Sequence, residues 1–331
     1  MKLVTSNTNA IVLLLAANLD YLIGDPWGWP HPVRVMGWLV SYCTQLVINH
    51  CHRQWEARLA GIGLGVGLII GSGVVGWLIV QGASWVNPGV GITLECILLA
   101  SCFAGRSLRA AAVDVLQPLQ NGELEQARSQ LSQYVGRDTE KLTEPEILRA
   151  VLETVAENAT DGVMAPLFYA IVGAFLPGVG SVPLALAYKA ASTLDSMIGY
   201  RWEPYTDLGW FSARLEDLLT WLPCRLTVMT LAFLSGKPLE VWHLCYRDAA
   251  KDPSPNSGWS ECSYAAILGV QLGGTNWYQG VAQHKPLLGD PVHLITTDKI
   301  THALQLTRYC FLIWLAIAIA PWVIVKINTI I

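Results

Sequence analysis

The chain has 331 residues and a composition unlike that of a soluble protein. Hydrophobic residues make up 53% of it, charged residues only 14%, and the mean hydropathy is +0.40. Ordinary soluble domains carry about 25% charged residues. The net charge of -4 shows no excess of basic residues, which argues against nucleic acid as a partner. Composition therefore predicts a membrane protein, with the lipid bilayer as one partner.

Apolar stretches of membrane-spanning length recur along the chain. The charge-free run 59–94 exceeds the roughly 20 residues of one span, and the turn Asn87-Pro88-Gly89 would divide it into two. The pattern predicts an all-α polytopic protein with four to six membrane helices, forming one integral-membrane domain over residues 1–331. Arg225 makes a simple span through 221–234 less favourable. The predicted spans are 3–19, interpreted as a retained anchor rather than a cleaved signal, then 59–94, 162–188, a weaker stretch at 226–234, and 309–325.

Polar regions separate these stretches, and we expect them to form helical loops that face the aqueous phase. Within the second of them, Leu124, Ala127, Leu131 and Tyr134 form one apolar stripe, and Thr143 with Glu146 forms a capping box. The last is rich in turn-forming residues. The four polar regions are 20–58, 106–160, 189–217 and 236–308.

A first polar block precedes the apolar stretch 162–188. At helical spacing Glu153, Glu157 and Asp161 share one face, where three carboxylates repel one another unless a cation compensates them. Carboxylate oxygens suit Mg²⁺ shared with nucleotide phosphates, so Glu157 and Asp161 are predicted metal ligands. The alternative is a solvated helix end, capped by Asn158 and Gly162.

A second polar block follows the same apolar stretch. Guanidinium groups near carboxylates suit a site that binds phosphate or a substrate carboxylate, because arginine binds both in bidentate geometry. The alternative is a set of topology signals joined by intramolecular salt bridges. The residues concerned are Lys189, Asp195, Tyr200, Arg201, Arg214, Asp217 and Arg225.

The middle of the apolar stretch contains residues that end helices, Pro177-Gly178 and Pro183 among them. A single crossing would place the two polar blocks on opposite sides of the membrane. We therefore predict a broken or re-entrant hairpin at 162–188, which returns the chain to the same face. Such irregular backbone is tolerated at membrane depth only where protein or a cavity surrounds it.

Short motifs follow one another in order up to about residue 290, and together they resemble a known family. The motifs are Asp20-Tyr-Leu-Ile-Gly-Asp-Pro26 with Pro30-His-Pro-Val-Arg34, Glu157-Asn-Ala-Thr-Asp-Gly-Val-Met-Ala-Pro166, Thr193-Leu-Asp-Ser-Met-Ile-Gly-Tyr-Arg201, Pro223 with Arg225, and Ser254-Pro-Asn-Ser-Gly258 with Leu272-Gly-Gly274. This set resembles the cobalamin biosynthesis CobD/CbiB proteins, the adenosylcobinamide-phosphate synthases. One departure is Thr220, where the family commonly has asparagine.

The resemblance implies an amide ligase of vitamin B12 biosynthesis in the cell membrane, with its active site on the cytoplasmic side. Such enzymes join adenosylcobyric acid, through a corrin propionate, to aminopropanol or aminopropanol O-phosphate. The product is adenosylcobinamide or its phosphate, so the corrinoid is a substrate rather than a cofactor. Because a carboxylate needs a leaving group before an amine can displace its oxygen, ATP with Mg²⁺ is the expected activator and an acyl phosphate the expected intermediate.

Within that chemistry the polar residues receive hypothetical roles. Lys189, Arg201 and Arg214 would bind the propionate and the transferred phosphoryl oxygens. Asp195 would assist the metal ligands Glu157 and Asp161. Asp25 or His31 could accept a proton from the amine, although His31 between two prolines could equally be structural. Residues expected to bind substrate or nucleotide are Asn158, Tyr200, Asp217, Arg225 and Asn256.

Two other functions fit parts of the pattern. Asp161-Gly-Val-Met-Ala165 partly resembles the start of a phosphoalcohol or prenyl transferase motif, but no D-x-x-x-D follows it within the apolar stretch 162–188. A transporter would explain charges around a broken membrane segment, but no inverted repeat is evident. The glycines between Gly61 and Gly76 favour close helix packing, within one chain or in a homo-oligomer.

Overall fold

The structure is a computed structural model that describes the backbone of residues 2–24 and 31–330, with side chains from residue 8 to residue 324. In these residues the chain is almost entirely helical, with one β-hairpin. The helices are α1 Lys2–Leu22, α2 Pro32–His50, α3 Gln54–Val86, α4 Pro88–Ala100, α5 Gly105–Gln120, α6 Leu124–Leu131, α7 Glu144–Asn158, α8 Ala165–Phe175, α9 Ser181–Ile198, α10 Tyr205–Leu208, α11 Trp210–Leu234, α12 Pro238–Asp248, α13 Ser257–Leu268 and α14 Thr297–Ile330. A π-helix, Ala159–Met164, follows α7, a 3₁₀ turn, Ala249–Lys251, follows α12, and the strands are β1 Leu272–Tyr278 and β2 Val281–Leu288.

The chain forms two compact units, each assembled from separate segments. The first unit comprises Met1–Ala104, Ala165–Thr220 and Ile313–Ile331, and the second comprises Gly105–Met164 and Trp221–Leu312. The boundary at 164/165 falls between the two polar blocks. Glu157 and Asp161 therefore belong to the second unit, whereas Lys189 and Asp195 belong to the first.

Four helical segments are long and apolar enough to cross a membrane, and α1 contributes a shorter apolar segment, Thr8–Leu22. The prediction of an all-α polytopic membrane protein with four to six membrane helices is thereby confirmed. The run 59–94 forms two helices as expected, because Asn87 ends α3 and its side chain accepts from the Gly89 and Val90 amides to cap α4. The four segments are Gln54–Val86, Pro88–Gln120, Trp210–Leu234 and Thr297–Ile324.

Helix α11 differs from the sequence prediction, which disfavoured a simple span there. It runs without interruption through Pro223 and Arg225. Proline supplies no amide for the carbonyl four residues earlier, that of Leu219. The hydroxyl of Tyr169 donates to that carbonyl instead, at 2.9 Å. A long-range hydrogen bond, which local sequence cannot reveal, thus compensates for the proline.

The predicted broken hairpin is confirmed in the first unit. Helices α8 and α9 pack against each other and are separated by residues 176–180, where Gly178 and Gly180 adopt positive φ angles of 81° and 89°. The Tyr169 ring of α8 stacks on the Tyr188 ring of α9, with centroids 5.0 Å apart. Near the turn, Gly173 approaches Gly180. This pairing order makes the two helices antiparallel, while the position of the polar blocks relative to the membrane faces stays a prediction.

Replacing Gly173 by alanine should destabilise this hairpin. An added Cβ would lie 2.2 Å from the Gly180 carbonyl oxygen, which belongs to the backbone and cannot rotate away. We expect a loss of about 1–3 kcal/mol, the usual cost of overpacking, measured as a lower thermal unfolding midpoint in detergent. Gly63→Ala is the matched control, because a Cβ at Gly63 in α3 meets no atom within 4 Å. Equal midpoints for the two variants would contradict the close approach.

The second unit contains the helices predicted for the region 106–160. The capping box forms as expected, because the Thr143 amide and hydroxyl both donate to the Glu146 carboxylate at 2.7 Å. Ala127 and Leu131 of the predicted apolar stripe are buried, whereas Tyr134 is exposed and its hydroxyl donates to the Asp114 carboxylate at 2.7 Å. Helix α7 begins at this box and buries the apolar face that carries Ile147, Leu148, Val151 and Val155.

The β-hairpin is a feature that sequence reasoning missed. Strands β1 and β2 pair antiparallel, and the turn residues Gln279 and Gly280 have positive φ angles of 50° and 78°. Positive φ at both central positions suits the twist of a two-residue hairpin. The glycines at 273 and 274 read as loop residues in sequence, yet they lie within β1, next to a register shift between Leu272 and Gly274.

Candidate active site

The candidate site of the second unit is built on one face of α7. Glu153 and Glu157 are four residues apart on this helix, and the chain then continues into the π-helix that contains Asp161. π-helical turns occur often at functional sites. Glu153 is buried, Glu157 and Asp161 are mostly buried, and Asn158 is exposed. The side-chain amide of Asn158 donates to the Thr154 carbonyl at 2.9 Å.

Glu153 is a structural carboxylate. Its Oε2 accepts a short hydrogen bond from Arg137, and its Oε1 lies 3.7 Å from Arg149 Nη1 and accepts from the Gly273 amide at 2.9 Å. Arg149 also donates to the carbonyls of Gly273 and Thr275. Glu153 therefore joins α7 to strand β1, and its negative charge is neutralised by two arginines.

Glu157 has different surroundings. In the part of the chain that the structure describes, its carboxylate makes no hydrogen bond, and the charged groups that act on it are Lys285, Asp252, Glu153 and Arg137. Burial raises the pKa of Glu157, and the neighbouring carboxylates raise it further. The side chain thus keeps open lone pairs in a region with an excess of negative charge.

Glu261 and Lys285 form the core of this cluster, which we call the Glu261 cluster: Glu157, Asp252, Glu261 and Lys285. Glu261 is fully buried on α13, and Lys285 Nζ on β2 donates to its Oε1 at 2.9 Å. Burial, together with the charges of Glu157 and Glu153, raises the pKa of Glu261 to about 8. Burial opposes the charge of Lys285, but the three carboxylates around it hold its pKa above the usual value.

The loop before α13 brings Asp252 to the cluster. Its Oδ1 accepts from the Ser254 amide at 2.9 Å and from the Ser257 hydroxyl at 3.3 Å. Arg225 supports the same loop, because it donates to the Pro255 carbonyl at 2.9 Å while its guanidinium lies 4.3 Å from the centroid of the Trp259 ring. Asn256 is buried where α13 begins. The substrate-binding roles of Arg225 and Asn256 remain predictions.

The first unit contains a separate polar group around Glu216 on α11. Glu216 is buried and shares hydrogen bonds with the Tyr188 and Thr220 hydroxyls, which lie 2.8 Å from each other. Asp195 and Asp217 lie within electrostatic range of Glu216. The structure thus brings Asp195 and Asp217, two predicted site residues, into electrostatic range of a third carboxylate that the sequence analysis did not single out.

The remaining predicted residues of the first unit have these positions. His31 lies at the start of α2, where its Nδ1 accepts from the Val33 amide at 3.3 Å, and the choice between its structural and proton-accepting roles stays a prediction. Tyr200 stacks on Trp202, with ring centroids 4.3 Å apart. Asp25 lies outside the described residues. Lys189 is half-buried on α9, and Arg201 and Arg214 are exposed.

Sequence analysis missed the residues that complete the Glu261 cluster from distant segments, and it also missed the two arginines that neutralise Glu153. A signal for one of them exists, because Glu261 is the single charged residue of α13. A lone carboxylate in an otherwise uncharged, buried helix indicates a specific partner. Nothing in the local sequence pairs it with Lys285, since that contact depends on the unpredicted hairpin. The missed residues are Arg137, Arg149, Asp252, Glu261 and Lys285.

The donor set around Glu157 is compatible with Mg²⁺ only if other ligands come from outside the protein. Among the described residues no group of three or more His, Cys, Asp or Glu side chains is placed to hold a metal ion. Mg²⁺ commonly takes one or two protein carboxylates together with substrate phosphates and water. Glu157 and Asp161, four residues apart and both partly accessible, fit that smaller requirement.

Fold and site define an all-α polytopic membrane protein with a buried carboxylate and lysine cluster. The chain belongs to the CobD/Cbib protein family, whose sequence model matches residues 13–307. No solved structure matches the chain.

Curated relatives match nearly the whole chain. One from Synechocystis, named cobalamin biosynthesis protein CobD, is 57% identical over 302 residues, which are 91% of this chain and 88% of the relative. Another from Salmonella arizonae, named cobalamin biosynthesis protein CbiB, is 40% identical over 318 residues, covering 91% and 94%. A third, named CobD, from Photorhabdus laumondii is 40% identical over 296 residues, covering 87% and 89%.

Proposed function

We propose that this protein is an enzyme of cobalamin biosynthesis that forms an amide bond between a corrin propionate and a small amino alcohol. The substrates would be adenosylcobyric acid and aminopropanol or its O-phosphate. The observation that carries the proposal is the near full-length similarity to relatives named for cobalamin biosynthesis. The amide chemistry follows from the family resemblance of the motifs that include Glu157 to Pro166 and Thr193 to Arg201.

The charged groups of both units suit the requirements of such a condensation. Lys189, Arg201 and Arg214 are cations that can hold a propionate or phosphate group. Glu157 and Asp161 would hold Mg²⁺ with ATP, which supplies an activated phosphoryl group for the otherwise unreactive carboxylate. Asn158, exposed beside Glu157, can donate to a phosphate oxygen. These assignments rest on chemistry and position along the chain, and each can be tested separately.

Membrane attachment forms the second part of the proposal. The four candidate membrane segments favour an integral protein. We propose the plasma membrane as its location, with the active site on the cytoplasmic side where ATP is available. Gly63 of α3 is exposed and meets no atom of the described residues within 4 Å where a Cβ would lie, whereas Gly67 and Gly71 line a cavity shared with α1 and α2. An exposed glycine on a membrane helix is compatible with a homo-oligomer.

A reconstitution assay tests the proposed reaction. Purified protein in detergent is incubated with adenosylcobyric acid, aminopropanol O-phosphate and Mg·ATP, and products are identified by mass spectrometry. We expect adenosylcobinamide phosphate, formed with nucleotide turnover and dependent on both organic substrates. Aminopropanol in place of its phosphate identifies the preferred amine. Absence of any corrinoid amide under these conditions would contradict the ligase proposal and revive the transferase and transporter alternatives.

A further inference from the structure

In its ionised form, Glu261 has a buried acceptor oxygen that lacks a donor. The residue is fully buried on α13, and its Oε1 accepts from Lys285 Nζ at 2.9 Å. Its Oε2 is also buried and has no hydrogen-bond partner among the described residues. A buried carboxylate oxygen without a donor is costly, and native proteins rarely leave one unsatisfied. Glu261 Oε2 is therefore suited to accept from a ligand, and a positively charged donor would satisfy this oxygen best.

Asn276 has the complementary feature, a buried donor without an acceptor. This side chain on β1 is 3% exposed, and its Oδ1 accepts from Arg137 Nη1 at 2.7 Å and from Arg149 Nη2 at 3.1 Å. Since arginine only donates, these contacts establish which end of the amide is the oxygen. The Nδ2 at the other end is buried and has no acceptor within the part of the chain that the structure describes. This donor thus lacks an oxygen.

The hairpin register relates the two unpaired groups. Gly274 pairs with Lys285, and Asn276 pairs with Gln283. Alternate residues of a strand share a face, so Asn276 and Lys285 lie on the same face of the hairpin. Lys285 reaches Glu261 from that face. The unpaired acceptor and the unpaired donor therefore adjoin one region between the hairpin and α13.

The charge of this region favours a cationic ligand. The negative charge of Glu153 is neutralised by Arg137 and Arg149. In the Glu261 cluster, by contrast, three carboxylates face a single lysine, because Glu157 interacts with both Asp252 and Lys285. Asp252 Oδ2 is likewise buried without a hydrogen-bond partner among the described residues. An added positive charge reduces the repulsion between these carboxylates.

We infer that Glu261 and Asn276 bind the amino alcohol substrate, its ammonium at Glu261 Oε2 and one of its hydroxyl or phosphate oxygens at Asn276 Nδ2. An ammonium provides up to three donors, and the acceptor is either the hydroxyl oxygen, three bonds from the nitrogen, or a phosphate oxygen, five bonds from it. The identity of the amine as aminopropanol or its O-phosphate rests on the proposed function. The assignment makes both residues substrate-binding groups.

Direct binding of the amine tests this subsite without requiring turnover. Full-length protein in lipid nanodiscs is titrated calorimetrically with aminopropanol and with its O-phosphate. Glu261→Gln should weaken the binding of both by about 30-fold or more, as expected when a buried charged partner is removed. 1,2-Propanediol, which lacks the amine, should bind neither protein. Unchanged amine affinity in Glu261→Gln would overturn the inference.

Two further variants keep the test informative if Glu261→Gln fails to fold. Glu261→Asp retains the charge and should bind the amine with intermediate affinity. Asn276→Asp keeps an oxygen for the two arginines but replaces the Nδ2 donor by a second oxygen. It should therefore weaken the binding of the O-phosphate more than the binding of aminopropanol. Glu240→Gln is the matched control, because Glu240 is exposed on α12 and pairs only with exposed Lys237. Wild-type affinity for the amines in both Glu261→Asp and Asn276→Asp would exclude the subsite.

The outcomes separate this inference from the proposed function. Glu261-dependent binding of aminopropanol by a protein that forms no corrinoid amide would support the subsite and contradict the ligase. Amide formation with an unchanged KM for the amine in Glu261→Gln would support the ligase and overturn the subsite. A selective rise in that KM, with the KM for ATP unchanged, supports both. Failure of the wild-type protein to bind either amine would overturn the subsite.

Discussion

Replacement of Glu153 by alanine is expected to destabilise the protein by about 3–5 kcal/mol, the usual cost of removing one partner from a buried ion pair. Glu153 is only 2% exposed and neutralises Arg137, whose side chain is 8% exposed, and Arg149. The variant would leave these guanidinium groups without their carboxylate. It would also remove the acceptor of the Gly273 amide and so loosen the attachment of β1 to α7.

Chemical denaturation in detergent, followed by tryptophan fluorescence, measures the loss. Arg137→Ala, combined with Glu153→Ala in a double-mutant cycle, should give less than the sum of the single effects, because the two variants remove the same pair. Glu125→Ala is the control. Glu125 is 85% exposed and bonds Arg128, so its loss should cost no more than about 1 kcal/mol. Similar losses for Glu153→Ala and Glu125→Ala would show that the buried pair is energetically unimportant.

Replacement of Asp161 by asparagine is expected to lower the kcat of amide formation by about 100-fold or more, while the folded protein is retained. The amide has nearly the same size as the carboxylate but lacks its charge, and Mg²⁺ strongly prefers charged oxygen ligands. Asp161 lies in the π-helix directly after Glu157 and Asn158. In the proposed site its carboxylate would bind the same Mg²⁺ as Glu157, beside the phosphates to which Asn158 would donate.

Steady-state assays over a range of Mg²⁺ concentrations measure this effect. A metal-ligand role requires that the variant need more Mg²⁺ for half-maximal rate, which a purely structural role would not cause. Asp298→Asn, an exposed aspartate in the first turn of α14, should leave the rate and the Mg²⁺ requirement unchanged. Wild-type turnover in Asp161→Asn would remove Asp161 from the metal site and leave Glu157 as its remaining predicted ligand.

Much of the helical framework was predictable because its signals are local. The run 59–94 divides at Asn87 since an asparagine before a proline favours the end of one helix and the cap of the next. Thr143 and Glu146 start α7 by a reciprocal contact between residues three apart. Pro177 and Gly178 predicted the break between α8 and α9 for the same reason. Each of these features depends on residues within one or two helical turns.

Other features depend on partners that are distant in sequence. Pro223 is accommodated in α11 with the help of Tyr169, 50 residues before the carbonyl that its hydroxyl reaches. The sequence disfavoured a span there because it offers no sign of that hydroxyl. The β-hairpin was missed because Gly273 and Gly274 suggest loops, although positive φ angles within β1 also require glycine.

The membrane class, the helical framework, the broken hairpin and the family are readable in the sequence, since they follow from apolar run length, helix-ending residues and ordered short motifs. Which carboxylates are neutralised and which remain open depends on tertiary contacts. Glu153 and Glu157 lie one helical turn apart on the same face of α7, yet Arg137 and Arg149 neutralise only Glu153. Glu157 faces Asp252 and Lys285. Charge balance in a buried site depends on contacts between distant segments, because Coulomb interactions there follow separation in space.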